Sequence, residues 1–240
     1  MKDNVFWEYL ETLPEQTAAW CEWRNHLGSW EKFSVFCEEY LQLEMLRART
    51  VECIALCEYN CPREVIENSL HDIKAICPRG RTRPYRLKFK DTLLYSLNRT
   101  KFHQALCNAL ELKPCSGKTW ILSNAWQLGE YSFKDDEAAY PVCLTIPASP
   151  EEMTDTVGQL CGLHQNPFIL LAPTDRQLTS EASRLLTGHK AIFFAPSDIV
   201  TVSDDGAFEL KIYPNLRHRE SRKTNNSAQQ LTEVTNKVNN

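Results

Sequence analysis

The sequence predicts an α/β protein: a small, mainly parallel sheet with crossover helices in the C-terminal half, preceded by a helical N-terminal region with a short cysteine-containing β-hairpin. Three observations carry that prediction. Segments 140–146, 168–172 and 191–195 are runs rich in Val, Ile, Leu and Phe, long enough for buried strands and too short for helices. Each leaves through a similar turn: Ile146-Pro147-Ala148-Ser149, Ala172-Pro173-Thr174-Asp175 and Ala195-Pro196-Ser197-Asp198. The segments between them have helical periodicity, so the simplest topology is parallel strands joined by right-handed crossovers.

Residues 4 to about 47 read as helices rich in aromatics. Phe6, Trp7 and Leu10 share one face, and Pro14 suits the first turn of a second helix carrying Trp20, Trp23 and Leu27. Ser29 is a reasonable N-cap for a third, with Phe36, Cys37, Tyr40 and Leu41 at helical spacing. Four of the six tryptophans fall in the first thirty residues. The region 1–50 is therefore either a small helical core that docks on the rest or an aromatic surface for a protein partner or for bases.

Region 51–115 changes character. Segments 61–67 and 73–77 read as two strands around the turn Asn68-Ser69-Leu70-His71-Asp72. Four of the ten cysteines cluster here: Cys53, Cys57 and Cys61 before the first strand, and Cys77 at the end of the second. Cysteines flanking a hairpin in this way resemble a zinc ribbon, and the resemblance covers residues 53–80. It implies a tetrahedral zinc held by paired thiolates at the base of the hairpin. The first pair, Cys57-x-x-x-Cys61, is one residue longer than usual, and no second cysteine follows Cys77; Cys53 can supply the fourth thiolate, with His71, at the far end of the hairpin, the lesser candidate. The alternative places Cys53, Cys57 and Cys61 on one helical face turned to the core.

The most basic stretch follows directly. Arg79, Arg81, Arg83, Arg86, Lys88 and Lys90 lie within twelve residues that hold no acid, with Tyr85 and Phe89 interleaved. Such a run can neutralise phosphates of DNA or RNA while aromatics stack on bases. The competing reading is a strand with Leu87 and Phe89 inward and its cations in water. After it, Asp91 suits a cap for a short helix over 93–97, Thr100 for a second carrying Phe102, Leu106 and Leu110, and 113–117 reads as a linker.

The domain 119–216 opens with strands at 120–122 and 126–133. Ser149-Pro150-Glu151-Glu152 combines a cap, a first-turn proline and carboxylates at the positive end of a helix. A second crossover starts near Thr179 and ends at Gly188, and a terminal hairpin joins 199–202 to 208–212. The tail, 217–240, is polar and reads as disordered.

Chemistry is sparsely signalled. The polar strand exits Ser149, Thr174, Asp175, Arg176, Ser197 and Asp198 suit caps and turns as well as a ligand. The exits carry no glycine-rich phosphate loop, zinc-protease helix or nucleophile elbow. Pro196-Ser197-Asp198 followed by Glu209-Leu210-Lys211 resembles the Asp and Glu-x-Lys pattern of restriction-type nucleases, except that Ser197 separates the proline from the acid. The resemblance implies Asp198 and Glu209 on a divalent cation, with Lys211 assisting the attacking water.

A net charge of −4 confines any electrostatic attraction for nucleic acid to a local surface. The N-terminal stretch with Asp3, Glu8 and Glu11 is unlike a signal peptide, and no run is apolar enough to span a bilayer. The resulting expectation is a cytoplasmic, non-membrane binding or regulatory protein, contacting nucleic acid through 79–90. A metal-dependent nuclease and a protein-interaction module built on the aromatic helices are the alternatives.

Overall fold

The structure is a computed structural model that describes residues 4–27, 30–53, 61–115, 120–133, 138–203 and 206–211. In chain order these form α1 (Asn4–Thr12), a 3-10 turn (Pro14–Gln16), β1 (Thr17–Ala19), α2 (Trp20–Leu27), α3 (Trp30–Tyr40), β2 (Leu41–Arg47), β3 (Thr50–Val51), β4 (Arg63–Ser69), β5 (Asp72–Ile76) and β6 (Tyr85–Leu87). A second 3-10 turn (Phe89–Thr92) leads to β7 (Leu93–Leu97), α4 (Arg99–Ala109), β8 (Lys113–Pro114), β9 (Trp120–Leu122), β10 (Ala125–Ser132) and β11 (Ala139–Thr145). The last elements are α5 (Pro150–Leu163), β12 (Ile169–Leu171), α6 (Ser180–Gly188), β13 (Ile192–Phe194), α7 (Pro196–Ile199), β14 (Val200–Val202) and β15 (Phe208–Leu210). The chain divides into Met1–Leu210 and Lys211–Asn240. Of the second unit only Lys211 is described, so the expected tail lies outside the described residues.

The α/β class holds. The main sheet runs β13-β12-β11-β10-β8, with β9 also on β10. Strands β11, β12 and β13 are parallel, with Val142 opposite Ile169 and Ile169 opposite Ile192. Helix α5 lies between β11 and β12 and α6 between β12 and β13, as the run-helix-run pattern requires. Ser149 accepts from the Glu152 amide at 3.2 Å and Thr179 from the Ala182 amide at 3.0 Å, so both caps form where the sequence puts them. Side chains alternate across each strand. Cys143 and Leu170 face α5 through Met153, Val157 and Leu160. Val142, Leu144, Ile169 and Leu171 turn the other way, into the aromatic core. Burial on both faces is why these strands read as unbroken apolar runs.

The N-terminal half departs from an all-helical reading in three places. Glu15 and Gln16 take left-handed φ of 50° and 53°, which ends the turn at Pro14 and lets Thr17–Ala19 extend as β1 before α2 begins at Trp20. Helix α3 stops at Tyr40, whose carbonyl accepts from the Asn98 amide at 2.7 Å, and β2 follows instead of more helix. Segment 93–97, expected as a helix, is β7, the centre of an antiparallel sheet in the order β1-β7-β2. In all three, backbone pairing across distant sequence outweighs local helical spacing. The following helix is capped by Asn98 rather than Thr100, and Lys113–Pro114 pairs with β10 rather than forming a linker.

The aromatic core explains why 50 and 115 are not core boundaries. Phe6, Trp7, Trp23, Phe36 and Phe102 are buried together with Phe208 from the last strand. The Phe208 ring lies 5.2 Å from Tyr40, 5.4 Å from Phe102 and 5.8 Å from Trp7. Gly206, at φ +79°, sets up this approach, since a Cβ there would meet Val35 at 2.8 Å. Among the described residues no helix is long and apolar enough to cross a membrane. Truncating Phe208 to Ala leaves a void among rings from α1, α3 and α4. The expected loss of about 3–5 kcal/mol is read by chemical denaturation, with a changed near-UV tryptophan signal, although no tryptophan is altered.

Candidate thiolate centre and basic face

A four-stranded antiparallel sheet, β3-β4-β5-β6, carries the cysteines and the cations. The β4–β5 hairpin forms with Glu64 opposite Ile76 and Ser69 opposite Asp72, turning at Leu70 and His71. This register brings Arg63 and Cys77 to one end of the hairpin and leaves the exposed His71 at the other, away from the sulfurs. Edge strand β6 pairs with β5 through Ile73–Leu87 and Ala75–Tyr85.

Cys77 sits in a backbone turn that favours its thiolate. The Gly80 amide donates to the Cys77 carbonyl at 2.9 Å, and Gly80 takes φ +64°, a conformation open to glycine. The turn aims backbone amides at the sulfur, an arrangement that makes an anion-binding concavity. Donation from the Arg81 and Arg79 amides, helped by the Thr82 hydroxyl and Cys61, pulls the Cys77 thiol from its ordinary 9.0 down to about 6. The core thiols go the opposite way. Burial pushes Cys21 and Cys143 up to about 12, and Cys37 and Cys107 up to about 11.

Beside this turn lies Arg63, 0% exposed. Its Nε donates to Cys53 Sγ at 3.3 Å, one terminal nitrogen donates to the Arg83 carbonyl at 2.9 Å and the Ala75 carbonyl at 3.5 Å, and the other donates to Thr82 Oγ1 at 2.6 Å. The guanidinium also lies 4.8 Å from the centre of the Tyr85 ring. Among the described residues no carboxylate pairs with it. Its sulfur contacts are Cys53, which accepts from Nε, and Cys77, reached through the shared Thr82 hydroxyl. Sequence reasoning missed this arginine. The available signal was its phase, since Arg63 and Val65 share the inward face of β4 while Glu64 and Ile66 face out.

The sulfurs of Cys61 and Cys77 are 3.9 Å apart. A tetrahedral zinc with Zn–S bonds of about 2.3 Å sets its sulfurs about 3.8 Å apart, so this pair fits one edge of such a site. Cys57 lies outside the described residues, and Cys53 is engaged by Arg63. Among the described residues no three His, Cys, Asp or Glu side chains converge to hold an ion. The described residues thus fit half of a zinc tetrahedron.

Arg79, Arg81, Arg83, Arg86, Lys88 and Lys90 are all exposed. Arg83, Arg86 and Lys88 enter no ion pair among the described residues, and Lys90 rests over the Trp20 ring at 3.8 Å. Tyr85 is not an open stacking platform: it is half-buried, with Arg63 on its ring and its hydroxyl donating to the Glu52 carbonyl at 3.2 Å. Phe89 is 40% exposed, with Arg47 4.7 Å from its ring centre.

The other sequence candidates fare differently. Phe6, Trp7, Trp20, Trp23 and Phe36 are buried, so these rings form core and not a partner surface. The strand exit at Thr174 is closed by Glu11 of α1, which accepts from the Thr174 amide at 2.9 Å and hydroxyl at 2.8 Å. Burial holds the Glu11 carboxyl above its ordinary value in spite of these bonds. Asp198 is exposed in the short α7, and Glu209 is exposed on β15 opposite Thr201. The β14–β15 pairing begins at Val200, past Asp198, so Asp198 lies outside the paired strands; Lys211 belongs to the second unit.

No family model, curated protein or solved structure matches this chain. The turn around Cys77 has a consequence in solution. Its thiol titrates lower folded than unfolded, so unfolding takes up a proton between about 6 and 9.0. The contribution is complete above that window, declines as pH falls through it and is gone below. Denaturant midpoints measured across this range should rise with pH in the wild type, and Cys77→Ser should remove that part of the rise.

Proposed function

We propose that the chain is a binding protein that contacts the phosphates of DNA or RNA through Arg79, Arg81, Arg83, Arg86, Lys88 and Lys90, and that it acts by binding and not by catalysis. The observation that supports this most is the exposure of Arg83, Arg86 and Lys88 along an edge strand with no ion pair among the described residues, in a chain whose overall charge is −4. A cationic strip on an otherwise acidic molecule makes a local electrostatic footprint. The covered state of Tyr85 favours phosphate contact over base stacking, so recognition is sequence-tolerant and salt-dependent. Anisotropy titrations of labelled single- and double-stranded oligonucleotides against ionic strength test it. The wild type binds at low salt, and each lost phosphate contact lowers the log–log salt slope by about 0.7–0.9. Arg81→Glu, Arg83→Glu and Arg86→Glu together abolish binding. Retention in that variant, or no binding by the wild type at low salt, removes the reading.

The spacing of Cys61 and Cys77 supports a second element of the reading, a structural zinc. Cys61 and Cys77 hold it in this proposal, with Cys53 and, outside the described residues, Cys57 as the further thiols of the set. Zinc would tie the hairpin base together and keep the thiols deprotonated. Elemental analysis of the purified chain should find one zinc per molecule, lost in Cys61→Ser. Its absence from protein prepared without chelator removes this element and leaves the basic face unaffected.

A further inference from the structure

We infer that Cys61 and Cys77, in the chain that holds no zinc, form an oxidisable pair that closes to a disulfide when the protein meets a peroxide. Their sulfurs are 3.9 Å apart at the open end of one hairpin, sixteen residues apart in sequence. A disulfide needs about 2.05 Å, so closure requires a shift of about 2 Å. Cys77 is buried in the Gly80 turn, and the half-buried Cys61 beside it lies nearer the surface.

The two positions give the cysteines different roles. Cys77 takes amide hydrogens from Arg79 and Arg81 and a hydroxyl hydrogen from Thr82, contacts that hold its sulfur in the turn and stabilise negative charge developing on it. Its sulfur attacks one peroxide oxygen: an S–O bond forms, the O–O bond breaks, and the departing oxygen takes a proton and leaves as water or an alcohol. The product is a sulfenic acid on Cys77. The Cys61 sulfur then attacks that sulfur; the S–S bond forms, the S–O bond breaks, and the hydroxide leaves as water with the Cys61 proton. Two thiols are oxidised by two electrons in all, and one peroxide is reduced.

The neighbouring thiols are placed differently. Cys53 is held by Arg63, and Cys21 and Cys143 belong to two separate apolar clusters that do not include Cys77. Closing the bond draws the Cys77 sulfur toward Cys61, so the change reaches the loop that begins the cationic strip. The inference does not rest on nucleic-acid binding, because its readout is a mass.

The test treats the reduced full chain with hydrogen peroxide, blocks remaining thiols with iodoacetamide and digests it for mass spectrometry. The expected product is one cross-linked pair of peptides holding Cys61 and Cys77, lighter than their sum by two hydrogens and undone by dithiothreitol. Cys61→Ser should instead leave a Cys77 sulfenic acid that a 1,3-dione probe captures. Full alkylation of both thiols at a peroxide dose that oxidises free glutathione overturns the inference. So does a cross-link from Cys77 to Cys53.

Discussion

A guanidinium with no water around it governs the middle of this protein. Taking a charge out of water costs several kcal/mol unless partners replace its hydration. Arg63 meets that requirement with a thiol sulfur, two backbone carbonyls, a hydroxyl and an aromatic face. Each partner belongs to a different piece of the sheet: Cys53 to the segment after β3, Ala75 to β5, and Thr82, Arg83 and Tyr85 to the path into β6. One side chain therefore fixes the loop that carries the exposed cations. The Thr82 hydroxyl that Arg63 reaches also helps the Arg81 and Arg79 amides lower the Cys77 thiol. Hairpin, thiols and basic strip are parts of one electrostatic arrangement.

That sheet packs on its own small core, with Ala19, Cys21 and Ala48 against Val51, Ile73, Ala75 and Leu87, and a larger core lies elsewhere. The main parallel sheet has α5 and α6 on one face and the aromatic cluster of α1, α2, α3 and α4 on the other. Glu11 fills the strand exit where an open sheet of this kind would receive a ligand. The C-terminal half thus works as a platform, with its usual binding edge occupied by its own N-terminal helix.

The parallel half was legible in the sequence because every level of signal agreed there. The apolar runs, the Ser149 and Thr179 caps and the helical spacing all point to one topology. The antiparallel sheet β1-β7-β2 was not legible. Leu93–Leu97 is too short to show a period, and Leu41 continues the spacing of α3, so only pairing with distant backbone separates strand from helix. The β4–β5 hairpin could be read from its turn residues, and the cationic run from composition. The role of Tyr85 could not, because what covers its ring is Arg63, twenty-two positions away. Arg63 itself was hidden by the ordinary expectation that arginines face water.

Phe208 has a further consequence for how the protein comes into being. At roughly 5–20 residues per second, the roughly 170 residues between Phe36 and Phe208 take on the order of 10 s to synthesise. During that interval Trp7, Phe36 and Phe102 lack the ring that completes their cluster. The nascent chain emerges with an unfinished apolar surface, and only the synthesis of β15 supplies its cover.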